Sequence, residues 1–143
     1  MVCSCLEIAM QYHFTTTVDM PFEAALQTTT EALKKRGFGV LTTIDVKDTL
    51  KKKIGADFRP YYILGACNPQ MAHKALLAED KIGTMLPCNV IVQQKDDGSV
   101  EVSAVDPVAS MLAIENSALG EIAKSVRKML KTVIEDLAAT KPV

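Results

Sequence analysis

The chain has 143 residues, 48% of them hydrophobic, 23% charged and 5% aromatic, with no tryptophan. A chain of that length buries roughly 68–70% of its unfolded surface, which supports one compact domain without disulfides or a structural metal. Sixteen basic residues against seventeen acidic ones leave a net charge of -1, and the isoelectric point near 6.1 argues against nucleic-acid or anionic-lipid binding, which needs a basic excess. No run of 18 apolar residues occurs, and Met1 to Leu6 lack the basic start and long apolar stretch of a secretory signal. The expectation is a soluble, cytoplasmic protein with neither a membrane nor a nucleic acid as partner. Residues 10–139 are expected to form a single α+β domain, with 1–9 as an N-terminal extension and 140–143 as a C-terminal tail.

Residues 10–16 alternate, with Met10, Tyr12 and Phe14 on one side and Gln11, His13 and Thr15 on the other, the pattern of a half-buried strand. Asp19, followed by Pro21-Phe22-Glu23, predicts a helix start with Asp19 as its cap. Phe22, Ala25, Leu26, Thr29, Ala32 and Leu33 form its apolar stripe, and Gly37 is its stop. Phe38, Val40, Thr42 and Ile44 then alternate with Gly39, Leu41 and Thr43 as a second strand. Asp45 and Asp48, at capping-box-like spacing, open a short helix with Val46, Leu50 and Ile54 as its stripe, Lys51-Lys52-Lys53 on the solvated side and Gly55 at its end.

Pro60 to Cys67 is the third predicted strand, and Asn68-Pro69 supplies a cap and a first-turn proline for a short helix through Ala78. Leu86 to Gln94 is the fourth strand, apolar on both faces at Val90-Ile91-Val92, which predicts cover on each side. Asp97-Gly98 marks the turn into a fifth strand, Val100 to Val105. Asp106-Pro107 ends that strand and starts a brief helical turn through Leu112. The strongest helix lies at the C-terminal end, where Leu119, Ile122, Val126, Met129, Val133 and Leu137 recur at three- and four-residue spacing. The order is strand, helix, four strands with short helical inserts, and a long helix, which is an α+β two-layer sandwich. Met10, Met20, Met71, Met85, Met111 and Met129 fall at core-like positions and read as gap fillers.

An antiparallel meander of the four later strands brings the end of the third strand (Cys67), the start of the fourth (Cys88) and the end of the fifth (Asp106) to one sheet edge. His73 stands little more than one turn into the helix that starts there. Cys67, His73, Cys88 and Asp106, with Asn68 and Asn89 beside them, are the candidate pocket. Cys67 precedes a helix N-terminus, where the macrodipole favours a thiolate, and His73 is placed as its proton partner. Cys67, His73 and Cys88 are also a candidate ligand set for zinc or another divalent metal. The competing reading makes Cys67 and Cys88 packing residues and His73 a surface side chain. Arg59 pairs a ligand anion or anchors its loop through carbonyls or Asp57, and Cys3-Ser4-Cys5 reads as a frayed terminus.

Gly37-Phe38-Gly39-Val40-Leu41 with Ile44-Asp45-Val46, Asp57-Phe58-Arg59-Pro60-Tyr61, Leu64-Gly65-Ala66-Cys67-Asn68-Pro69 with Ala72-His73, Leu86-Pro87-Cys88-Asn89-Val90 and Val105-Asp106-Pro107 together resemble the bacterial and archaeal domain of unknown function 302 family, over about residues 10–138. The resemblance implies a TATA-binding-protein-like β-α-β(4)-α fold with a curved antiparallel sheet and helices on one face, often dimeric, and it brings no established activity. DNA binding does not follow from the fold name, because function lives in sites. The expected function is binding of a small ligand or metal, or thiol chemistry, at the Cys/His pocket. The alternative is a non-catalytic homodimeric module that buries a mixed second sheet face, with Leu41, Ile91 and Ile63 among Gln11, His13, Thr43 and Ser103.

Overall fold

The computed structural model describes residues 11–140. The expectations for Met10, Cys3, Cys5 and the extreme termini lie outside the described residues. Five strands, β1 (His13–Val18), β2 (Gly39–Asp45), β3 (Tyr61–Cys67), β4 (Cys88–Gln94) and β5 (Val100–Val105), form one antiparallel sheet in the order β1-β5-β4-β3-β2. The last four form the expected meander, and β1 closes the far edge by pairing with β5, Phe14 opposite Ala104 and Val18 opposite Val100. The helices are α1 (Phe22–Lys35), α2 (Val46–Ile54), α3 (Pro69–Ala78), α4 (Pro107–Ser110) and α5 (Ser117–Ala139), with a 3-10 turn at Ile82–Met85. The sheet is curved and its helices cover one face.

The core lies between sheet and helices. Val90, Val92, Val102 and Ala104 from the two central strands are fully buried against Leu33 of α1 and Leu130 and Val133 of α5. Alternation along β4 and β5 sends these residues inward and leaves Ile91, Ser103 and Glu101 on the helix-free face. Arg36, just past the end of α1, makes a paired contact with Asp136 of α5, from Nε to Oδ2 at 2.8 Å and from Nη2 to Oδ1 at 3.0 Å. A second, smaller core joins Ala75, Ile82 and Leu119 and fixes α3 and the 3-10 turn to the start of α5. Thr29 on α1 is completely buried, and its Oγ1 finds no hydrogen-bond partner among the described residues.

Two local expectations are corrected. Asp19 does not cap α1: Pro21 occupies the cap position in extended conformation, with no side-chain acceptor. In β2 the strict alternation fails, because a bulge at Leu41 lets Val40 pair with Ala66 while Thr42 pairs with Gly65. The extra residue reverses the facing of everything after it, so Thr43 pairs with Leu64 on the helix side and Thr42 and Ile44 turn to the open side. Thr43 therefore leaves the second-face set in which the alternation had placed it. At α2 the sequence signals hold: the Asp45 carboxylate accepts from the Asp48 amide at 3.0 Å, and Gly55 ends the helix at φ 68°, a conformation open chiefly to glycine.

Candidate functional site

The antiparallel meander puts three chain corners at one end of the sheet. Cys67 is the last residue of β3 and pairs with Gly39, while Ala66 pairs with Cys88, the first residue of β4. The two cysteines thus sit one position out of register on neighbouring strands. Asn68 then turns the chain into α3, its Oδ1 accepting from the Met71 amide at 3.1 Å, and Pro69 needs no donor in the first turn. Asp106 ends β5 at the same end.

These corners enclose a cavity of about 360 Å³. Phe38, Ala66, Cys67 and Cys88 supply its sheet side, Met71, Ala72 and Ala75 of α3 one wall, and Leu119, Ile122 and Val126 of α5 another. Leu41 and Leu76 also border it and are respectively 68% and 43% exposed, so they mark its mouth. Among the described residues no charged side chain lines it. The volume falls within the range of small-ligand pockets, and the apolar wall suits an uncharged guest.

Cys88 is buried, and its thiol is pushed up to about 11, first by loss of solvation and then by the nearby Cys67. Cys67 is half-buried in the same wall. Asn68 also lines the cavity, close over Gly37, where an added Cβ would meet its Nδ2 at 3.1 Å.

The other expected pocket residues are placed elsewhere. His73 is exposed and outside the cavity wall. The positions of α3 that face the cavity are 71, 72, 75 and 76, and a helix advancing about 100° per residue turns position 73 away from them. Asp106 is buried behind the wall, its Oδ1 accepting from the Val108 amide at 3.0 Å and its Oδ2 from Arg127 Nε at 3.1 Å. Asn89, one residue after the buried Cys88, is exposed. Arg59 lies beyond the opposite end of β3, eight residues from Cys67 and so about 26 Å away at strand rise. There it donates to Gln93 Oε1 at 2.9 Å and stacks over the Phe58 ring at 4.4 Å. Its loop is held by a side-chain amide and aromatic faces rather than by the carbonyls or Asp57 of the sequence reading. Asp57 pairs instead with Lys51.

Among the described residues no three His, Cys, Asp or Glu side chains form a group that could hold a metal ion. Cys67, His73 and Cys88 are therefore not assembled as a zinc set. The sequence reading also missed the sulfur of the cavity wall: Met71 and Met111 line it beside the two cysteines. Met71 lies four residues past Cys67, in the first turn of the helix that the Asn68 cap opens.

Fold and site together define a one-sheet α+β domain with an apolar, thiol-bearing cavity at its sheet end. The family described as Domain of unknown function DUF302 matches residues 14–137, and the chain belongs to that family. A crystal structure of an uncharacterized conserved protein DUF302 from Bacillus stearothermophilus is similar, with a TM-score of 0.83 and 32% sequence identity, covering 90% of this chain and 99% of that one. No curated protein matches the chain.

Proposed function

We propose that the protein is a small-ligand-binding domain whose guest, uncharged and largely apolar, occupies the cavity at the Cys67–Cys88 end of the sheet. The single observation that carries this reading is a cavity of about 360 Å³ with apolar walls and no charged lining residue among those described. Removing an apolar guest from water into such a wall is favourable by about 25 cal/mol per Å² buried, so affinity needs few polar contacts. Nile red, an uncharged dye that brightens in apolar surroundings, tests it. Saturable brightening at one dye per chain is expected, weakened strongly by Ala72→Phe, which fills the cavity from α3. No brightening, or full binding by a folded Ala72→Phe variant, overturns the reading.

A second reading concerns the partner. The helix-free face presents Ile44, 46% exposed, in register with Ile63 and through it with Ile91. This row of aliphatic side chains supports a homodimer that buries the open face, in a cytoplasmic protein. No helix of the described residues is long and apolar enough to cross a membrane. Sedimentation at low micromolar concentration is expected to give a dimer, which Ile44→Lys dissociates. A monomer at that concentration rejects it.

A further inference from the structure

The sheet order leaves β2 as an edge strand, paired on one side with β3 and on the other, among the described residues, with nothing. Five of its seven residues are exposed and none is buried. The bulge at Leu41 interrupts the edge, so its regular stretch is Thr42–Asp45. Every second residue of such a stretch turns its backbone donor and acceptor outward, the template that an added strand uses. The two sides of this edge differ. On the helix side a cleft runs between β2 and α1, floored by Leu26, Val40, Tyr62 and Leu64. The exposed side chains of Glu23, Gln27 and Glu31, four residues apart on α1, rim it. Neither glutamate has a basic partner within ion-pair distance among the described residues, and no lysine or arginine lines the cleft. On the open side the edge carries Ile44, 46% exposed.

We infer that β2 is a docking edge for an extended segment of another protein in which basic side chains alternate with apolar ones. Successive residues of an added strand point to opposite faces of the sheet, so one set meets the acidic cleft and the other meets Ile44. A lysine on the helix side lays its aliphatic stem over Leu26 and Val40 and carries its ammonium to the α1 rim. The spacings agree: Glu23 and Glu31 are eight residues apart, about 12 Å along a helix, and strand positions i and i+4 are about 13 Å apart. Two basic residues separated by four positions therefore reach both glutamates, with the residue between them opposite Gln27. A second copy of this chain is the poorer occupant, because pairing β2 with β2 about a two-fold axis sets two acidic rims side by side.

The probe is a fluorescent, end-blocked peptide, Thr-Lys-Val-Thr-Val-Lys-Thr, titrated with the full chain and read by anisotropy. One peptide per chain is expected, with new hydrogen-exchange protection at the amides of Thr42–Asp45. Glu23→Lys combined with Glu31→Lys weakens binding by at least about ten-fold, while Glu135→Lys, on the exposed face of α5, leaves it unchanged. Raising the salt to about 0.5 M weakens it as well, since the paired charges are exposed. A peptide of the same composition with its lysines adjacent, Thr-Lys-Lys-Val-Val-Thr-Thr, and one with glutamate in place of lysine bind at least about ten-fold more weakly. Methylation of the backbone nitrogens, placed either on both lysines or on both valines, abolishes binding in one of the two cases, because one set faces β2. No saturation by about 1 mM peptide, equal binding of the acidic or adjacent-lysine peptide, or equal binding of both methylated peptides overturns the inference. So does protection of Thr42–Asp45 in the protein alone that grows with its concentration, which would make the occupant a second copy.

Discussion

Arg127 reaches from the middle of α5 to donate its Nε to Oδ2 of Asp106 at 3.1 Å, and the same guanidinium lies 5.3 Å from the centre of the Phe14 ring. One carboxylate thus caps α4 and joins it to α5. The Arg127 side chain is 43% exposed, so the ion pair alone is worth about 1 kcal/mol. Asp106→Asn keeps the cap acceptor and is expected to cost about 1 kcal/mol, whereas Asp106→Ala also loses the cap and costs about 2. Urea unfolding of both variants checks this. Equal losses would mean that the cap contributes nothing here.

The Cys88 thiol sets an alkaline limit on stability. Its proton is held in the folded state up to about 11, against 9.0 for a free thiol. The folded state binds the proton more tightly, so this contribution is fully present below pH 9 and is lost as pH rises through 11. The full loss is about 3 kcal/mol. Tyr62 also titrates higher than usual, mainly through burial, so the comparison is with Cys88→Ala, which retains Tyr62. Between pH 9 and 11 the wild type is expected to lose more stability than that variant in denaturant titrations. Parallel pH profiles would reject the assignment.

Gly65 is needed for a steric reason. A Cβ there would collide with Thr42 Oγ1 and come within 2.7 Å of Pro87 Cγ, because both side chains close over the strand. Gly65→Ala is expected to destabilise by about 2 kcal/mol, the usual cost of forcing a methyl into a packed site. Adding Thr42→Ala should recover part of that loss and leave the Pro87 part. A double-mutant cycle with no coupling between positions 42 and 65 would contradict the packing.

Thr29 offers a gain. Its buried Oγ1 is unpaired among the described residues, and valine has nearly the same shape without the hydroxyl. Thr29→Val is expected to raise stability by about 1 kcal/mol, since it removes a desolvated group that gains no hydrogen bond in return. A lower melting temperature in this variant would show that the hydroxyl has a partner in solution.

Elements whose boundaries are set by local chemistry were legible. Asn68-Pro69 placed the start of α3 at Pro69, Asp97-Gly98 placed the β4–β5 turn, and the three-four spacing from Leu119 to Leu137 found α5. What failed depends on tertiary geometry. The bulge at Leu41 leaves no mark in a two-residue period, so Thr43 was assigned to the wrong face. The 3-10 turn at Ile82–Met85 is too short for periodicity, although Ile82 is completely buried in the second core. At the site, strand order alone brought Cys67 and Cys88 together. His73 could not be placed the same way, because one residue along a helix rotates a side chain by about 100° and that decides whether it faces a cavity or solvent.

Pairing β1 with β5 places His13 beside Val105, about ninety residues downstream. During synthesis, the meander from β2 to β5 assembles from neighbours, while β1 waits with its backbone donors unmatched until the fifth strand has left the ribosome. Adding β1 is then a long-range step, with a larger loop-closure cost than any pairing within the meander. Until it occurs, β5 presents an unpaired edge of apolar, alternately buried residues that another chain can join, an opening that β1 covers in the finished sheet.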